Sequence, residues 1–437
     1  MRHLRYIEAM MFGAMMMVQS CSSHYPDMEY PDGNGNTEHT FSTPITVSLN
    51  KQNMFSLVAT RGSGSFETGN ISQKCENGLF YIFAFRDGTD ADLSQTVKSD
   101  TAHSNCLVDS DIPYFGKASR LEKDSTGTLS FVEDENLVNK TKMYYSQTNS
   151  STPYHFTGYY VDDYVPTAST YHRNAEGIYY DLKIDGTQDV LCGYAPDITS
   201  SLLKSRYDNI ELTATEREKI LSIKGYSTYA AQYGINPVLN LKHVLTKLKF
   251  EIVPADSTAD NVTIRNISII GKNSGKMVVA ARNMTDIGLS AYDNTDTLQL
   301  HEPSTDGKAT LTLVSAGNGY SVKWDDSYAN KNLEDITGVN VGGCIMPVPA
   351  TSYKLCVESN VINKLTGKTY LVKSSYTITP PENTISYDST TGKYVFKAGY
   401  EYTVKLGVFG QAMIRISTTV DTWKSGDTII LDPEQHL

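Results

Sequence analysis

Residues 239–254 read "LNLKHVLTKLKFEIVP", and their periodicity decides the fold. Leu239, Leu241, His243 and Leu245 fall on one side of an extended chain, whose successive side chains point to opposite faces. From Leu248 onward the apolar positions change parity, with Leu248, Phe250 and Ile252 alternating in the shifted register. A one-residue slip turns a strand's apolar set away from the core. The stretch therefore predicts a bulge near Thr246–Lys247 that re-aims one continuous strand. A second strand pair of similar character, "NVTIRNISIIGKNSGK" (261–276), ends in the turn formers Asn273, Ser274 and Gly275.

The same period-2 pattern recurs across the chain. In "LFYIFAFRD" (79–87), Leu79, Tyr81, Phe83 and Phe85 share one face and Phe80, Ile82 and Ala84 the other. Both faces are apolar, which predicts a strand covered on two sides. "IYYDLKI" groups Ile178, Tyr180, Leu182 and Ile184, while "YEYTVKLGV" groups Tyr400, Tyr402, Val404, Leu406 and Val408. Further strands are expected over 128–133, 142–147, 309–314, 353–359, 369–378 and 412–420, with a turn at Thr391-Gly392. One helix is expected, with Thr215 as N-cap and Glu218 reaching back in a capping box, running to Gly225. A shorter helical turn is expected between 200 and 208. No short repeat marks a propeller or solenoid. The expectation is an all-β chain of two antiparallel β-sandwich domains, transthyretin-like and of Greek-key type, over 44–237 and 238–437, with a short helical insert.

The 437 residues are enough for two ordinary domains. Asp and Glu number 49 against 38 Lys and Arg, a net charge of −11, and no basic cluster exists to neutralise phosphates, so nucleic acid is excluded as a partner. Residues 1–20 carry Arg2 and Arg5 before a short apolar core, the layout of a secretory signal peptide and too short to span a bilayer, which takes about 20 apolar residues. Val18-Gln19-Ser20-Cys21 resembles a bacterial lipobox, which implies lipidation at Cys21, membrane anchoring by the lipid, and a solvated tether over 21–43. Five cysteines remain: Cys75, Cys106, Cys192, Cys344 and Cys356. Their spacing matches no metal pattern. Buried free thiols are the favoured reading, a Cys344–Cys356 bridge the other.

"VATRGSGS" (58–65) raises a different question. Ile45, Val47, Leu49, Phe55 and Leu57 describe a first strand over 44–61 that ends on a lone Arg61 before Gly62 and further small residues. With Cys21, this strand ending in Ala59-Thr60-Arg61, Asp189-Val190-Leu191, the 239–252 stretch and the closing "IRISTTVDTWKSGDTIIL" (414–431), the order of motifs along nearly the whole chain resembles that of the fimbrillins, subunits of the type V pili of Gram-negative anaerobes. It departs from their pattern in Gln19 of the lipobox and in Gly62 after the Arg. The resemblance implies export as a lipidated precursor to the outer membrane and cleavage after Arg61 by an Arg-specific protease. It further implies release of the first strand and entry of a donor strand from another pilus subunit, leading to a cell-surface fimbrium that supports adhesion to host or bacterial surfaces. Donor residues are then expected at Ile414, Ile416, Val420, Ile429 and Leu431. An uncut subunit would serve as an anchor, and one lacking a donor strand as a tip. A second reading is a monomeric surface lipoprotein whose loop tyrosines bind glycans.

Catalysis finds no template: there is no G-x-S-x-G, H-E-x-x-H, phosphate-cradling loop or dinucleotide fingerprint. No catalytic residue, metal ligand or cofactor is assigned. Asp162-Asp163 and Asp325-Asp326 read as solvated doublets, "DGTDAD" (87–92) as a turn lacking the acidic ligand at the end of a calcium loop, and His243 as a core histidine. The tyrosine pairs at 144–145, 159–160 and 179–180 read as core on one side and sheet surface on the other.

Overall fold

A computed structural model describes residues 29–31, 37–39, 43–50, 78–86, 106–108, 116–122, 127–132, 143–145, 149–162, 167–290, 295–302, 311–312, 319–410 and 414–422. Cys21, Phe55, Leu57, Arg61, Gly62, Cys75, Asp163, Ile429 and Leu431 lie outside the described residues, as do the signal segment and 87–92. Two units are present, Met1–Thr43 and Pro44–Leu437. Within the first, Glu29–Pro31 pairs antiparallel with Thr37–His39, so the segment expected as a plain tether contains a short hairpin.

In the second unit the strands begin with β1 (Val47–Leu49), β2 (Phe80–Arg86), β3 (Cys106–Val108), β4 (Lys117–Leu121), β5 (Thr128–Phe131) and β6 (Tyr154–Val161). They continue with β7 (Tyr171–Arg173), β8 (Gly177–Lys183), β9 (Val190–Tyr194) and β10 (Val238–His243). After these come β11 (Lys247–Pro254), β12 (Val262–Lys272), β13 (Ser274–Ala281), β14 (Gly288–Ser290) and β15 (Thr295–Gln299). The last are β16 (Val339–Ile345), β17 (Tyr353–Ile362), β18 (Thr369–Ile378), β19 (Tyr400–Val408) and β20 (Ile414–Thr422). Tyr387–Asp388 and Lys393–Tyr394 form a hairpin around the expected turn, where Gly392 adopts a φ of 67°.

The first sheet departs from an open sandwich. Its order is β3-β2-β4-β5-β1-β10-β9-β6, and β6 pairs back onto β2, closing the sheet into a ring. Closure removes the exposed edges that an open sheet must protect. The inside holds Ile45, Val47, Leu49, Phe80, Ile82, Leu129, Phe156, Leu239 and Leu241. Helices contribute Leu203 and Ile220 to the same core. They are α1 (Ser200–Arg206), α2 (Ala214–Ile223) and α3 (Thr228–Gln232). On the other face of β2 and β6, Tyr81, Phe83, Phe85 and Tyr159 pack against Ile178, Tyr180, Leu182, Met277 and Val279. These last come from a second sheet, β14-β13-β8-β7. The two apolar faces read from "LFYIFAFRD" are thus both covered, each by a different core.

The remaining strands form two facing sheets, β16-β11-β19-β20 and β15-β12-β17-β18, around Phe250, Ile252, Ile267, Leu355, Tyr402 and Val404. Two pairings run parallel, β1 with β10 and β11 with β19, where an antiparallel arrangement was expected throughout.

The decisive stretch resolves differently from the predicted bulge. Residues 239–254 are two strands in two sheets, β10 and β11, and Val244–Thr246 carries the chain between them. Leu239 and Leu241 enter the ring core, Leu245 the core outside it, and Leu248 and Phe250 the facing sheets. The parity change marks a change of partner. The strap is fixed by main-chain bonds from Val244 N to Val190 O (3.0 Å) and Thr246 N to Pro347 O (3.0 Å), and Thr246 Oγ1 donates to Phe396 O at 3.1 Å. β10 therefore belongs with the first group although it lies beyond 237, and β13 beyond 238 pairs with β8. The strand pair read from 261–276 is likewise split: β12 and β13 sit in different sheets, separated by the buried Asn273.

The helix begins two residues early. Thr213, not Thr215, is its N-cap, and Glu216, not Glu218, completes the box. Both pairs have the right spacing in sequence. Glu216 is selected because Tyr233 also donates to it at 3.0 Å, and the hydroxyl and backbone bonds from Thr213 hold its carboxyl below its ordinary value.

Candidate functional site

The candidate site is the seat of β1. A three-residue strand has little intrinsic stability, so its neighbours must define it. β1 lies between β5 and β10, antiparallel to the first (Val47 opposite Leu129) and parallel to the second (Leu239 opposite Leu49). Its backbone is tied on both sides. Ile45 N donates to Met143 O (2.8 Å) and Leu49 N to Gly127 O (2.8 Å), while Ser48 N reaches Pro237 O (3.0 Å) and Asn50 N reaches Leu239 O (3.0 Å). Ile45, Val47 and Leu49 are 6%, 0% and 2% exposed, on the inward face that their alternation in sequence assigned them. Beyond the strand, Asn50 Nδ2 donates to Asn240 Oδ1 at 3.0 Å, and Arg206 of α1 donates to the same oxygen at 3.0 Å.

Removing this strand would leave two unpaired edges, on β5 and β10, flanking an apolar slot. Burial of the three aliphatic side chains is worth about 5–9 kcal/mol, at about 1.5–3 each. The core that these side chains enter also holds Tyr145 and Phe156, 6.1 Å apart ring to ring. Burial pushes the Tyr145 hydroxyl's pKa well up. Such a furrow recognises an extended segment by main-chain pairing and alternate apolar side chains.

The expected donor positions lie in a different setting. Ile414, Ile416 and Val420 sit in β20, half-buried against the core of the facing sheets, with β19 as partner along the whole strand. β20 is the last strand of its sheet.

The other sequence candidates resolve as structural groups. His243 is buried, and its Nδ1 lies 3.0 Å from Asp189 Oδ1. Asp189 N donates to Asp162 Oδ2 at 3.2 Å, and Tyr160 Oη donates to Asp162 Oδ1 at 2.6 Å. This chain of bonds clamps the ends of β6, β9 and β10 together. It was not legible in sequence, because its members are separated by up to 83 positions (243 − 160). Asp325 Oδ1 accepts from Ser327 N at 2.8 Å, and Asp326 Oδ1 accepts from Trp324 Nε1 at 3.1 Å; the doublet shapes a surface turn. Tyr145, Tyr159, Tyr160 and Tyr180 are all buried, so those members of the tyrosine pairs offer no face to a sugar. Cys192, Cys344 and Cys356 are free thiols. Cys344 of β16 is buried in the core outside the ring, whereas Cys356 of β17 has its Sγ 3.6 Å from Ser375 Oγ, so the two thiols are not joined and the alternative bridge is absent. Burial raises the Cys192 and Cys344 thiols, making them poor nucleophiles. Among the described residues, no group of three His, Cys, Asp or Glu side chains is placed to hold a metal ion.

No family model and no curated protein matches the chain. Among solved structures, it is similar to a candidate cell adhesion protein from Parabacteroides distasonis at 9% identity and a TM-score of 0.43, over 88% of this chain and 98% of that one. A candidate cell adhesion protein from Bacteroides uniformis matches at 11% identity and a TM-score of 0.39, again over 88% and 98%. The fimbrial anchor protein Mfa2 from Porphyromonas gingivalis matches at 8% identity and a TM-score of 0.32, over 89% of this chain and 100% of that one.

Proposed function

We propose that the protein is a structural subunit of a type V pilus, exported as a lipoprotein precursor, that polymerises by exchanging its first strand for a strand of another subunit. The observation that supports this is the enclosure of β1: a short segment at the start of the compact unit fills a slot that only an extended apolar strand can refill. While the chain is intact, residues 44–50 are held beside the slot at an effective concentration on the order of millimolar. Cleavage after Arg61 removes that tether. The segment then stays until a competing strand displaces it, so assembly is exchange and not simple release. A contact of this head-to-tail kind repeats into an open filament.

The test treats the purified mature chain with a trypsin-like protease. The expected result is a new N-terminus at Gly62, followed by loss of the peptide that ends at Arg61 and a concentration-dependent ladder of oligomers. Arg61→Ala should abolish both. A chain cut at that bond that remains monomeric with its peptide lost would overturn strand exchange. A chain intact at that bond would overturn the cleavage step.

A further inference from the structure

The residue that follows β1 is poorly matched to what it meets. Asn50 comes after the inward Leu49, and Asn240 lies between the inward Leu239 and Leu241, so both amides take the other side of their strands. Arg206 of α1 donates from Nη2 to Asn240 Oδ1 at 3.0 Å. A guanidinium offers donors only, so this bond fixes which way the Asn240 amide faces. Asn50 must then present its Nδ2 to the same oxygen, which it does at 3.0 Å. Two donors share one acceptor, and an amide N–H stands beside a cation. The other arm of the guanidinium fares worse: Arg206 Nη1 is buried and, among the described residues, has no acceptor. A buried donor on a charged group is costly to leave unmet.

Arg206 is held in that place by the fold. The Thr199 side chain caps α1 by accepting from Leu202 N, and Leu202 and Leu203 bury the helix. At its other end Tyr207 Oη donates to Asn236 O at 2.5 Å, one residue before Pro237, whose carbonyl accepts from Ser48 N of β1. The same two residues therefore anchor both α1 and β1, and the guanidinium has a set position relative to the end of the seat. Lys242, two residues past Asn240 on the same face of β10, adds a second cation and is exposed.

We propose that the seat of β1 selects a strand whose last inward residue is followed by Asp or Glu, the carboxylate standing where Asn50 stands and accepting from the Arg206 guanidinium. Such a group gives the fork an acceptor of matching charge and relieves the Asn240 oxygen of a competing donor. The inference rests on the strand exchange proposed above and adds the chemistry of the guest: three alternating apolar residues closed by an acid. β1, closed by an amide, satisfies the apolar part of its seat and not the charged part. It is a placeholder, and a strand that satisfies both displaces it downhill.

The charge preference is read in the intact chain, where no exchange is needed. Asn50→Asp should lower the unfolding equilibrium constant in urea about ten-fold. In an Arg206→Gln background the same substitution should bring no gain. A chain with Asn50→Asp no more stable than its parent, or a gain that survives Arg206→Gln, would overturn the preference. Exchange is read separately, in chain cut after Arg61, with peptides of residues 43–50 (TPITVSLN), acetylated and amidated at their ends. The peptide carrying Asn50→Asp should displace the resident strand at about one-tenth of the concentration that the parent peptide needs. Equal concentrations would overturn the selection of an acidic guest. Failure of both peptides to enter, with the Asn50→Asp gain in the intact chain present, would overturn strand exchange and the guest with it, and leave the charge preference of the seat standing.

Discussion

The first and last described strands of the compact unit are near opposites. β1 has three residues, two neighbours and both apolar side chains, Val47 and Leu49, buried. β20 has nine residues and, among the described residues, one neighbour, with Ile414, Ile416 and Val420 only half-buried. Counting backbone bonds alone would rank β20 as the better held. Side-chain burial ranks them the other way, because a fully buried aliphatic side chain contributes about 1.5–3 kcal/mol and a half-buried one about half as much. Length of a strand is thus a poor guide to how firmly it is seated.

The sharpest way to break this comparison is to put a charge in both places. Val47→Asp should cost about 4 kcal/mol or more in urea unfolding, since the carboxylate has no partner inside the ring. Val420→Asp should cost about 1–2. Equal costs would mean that the ring does not enclose β1. Truncation grades the same contrast: Leu49→Ala should lose about 3 kcal/mol and Ile416→Ala about 1.

A third measurement concerns the sheet that holds β20. Its neighbour β19 is pinned to β11 through Glu401, which lies 3.0 Å from Lys247 and 2.8 Å from Lys249. Burial raises the Glu401 carboxyl, but the two lysines outweigh it and leave the group below its ordinary value. A carboxylate held down in the folded state binds fewer protons folded than unfolded. Its stabilisation is therefore present above the unfolded value of about 4.3 and is lost as pH falls through the folded one. Glu401→Gln should cost about 2–3 kcal/mol at pH 7 by stranding the buried Lys247, and should flatten the loss of stability in acid. The smallest effect is expected at the helix: Thr213→Ala should cost about 1 kcal/mol, and Thr215→Ala much less.

What the sequence disclosed followed from local physics. Alternation named the inward residues of β2, β8 and β19, and placed Ile45, Val47 and Leu49 in a core without any knowledge of which core. The histidine at 243 was legible as an interior group because its neighbours at 239 and 241 are apolar. Pairing was not legible. β1 meets Leu129 and Leu239, 82 and 190 positions from Val47 and Leu49 (129 − 47, 239 − 49), and periodicity has no term for distance along the chain. The same blindness turned a change of sheet at Val244–Thr246 into an expected bulge, since both shift parity by one. The capping box went to the wrong threonine because the deciding partner, Tyr233, lies 17 positions further on.

One consequence follows from β1's having one parallel and one antiparallel neighbour. Its slot discriminates N-to-C direction as well as sidedness: a guest strand threaded backwards would find the donors and acceptors of β5 and β10 out of step on both flanks. Any string of copies joined through that slot has a front and a back, like an arrow, and can lengthen only by joining unlike ends.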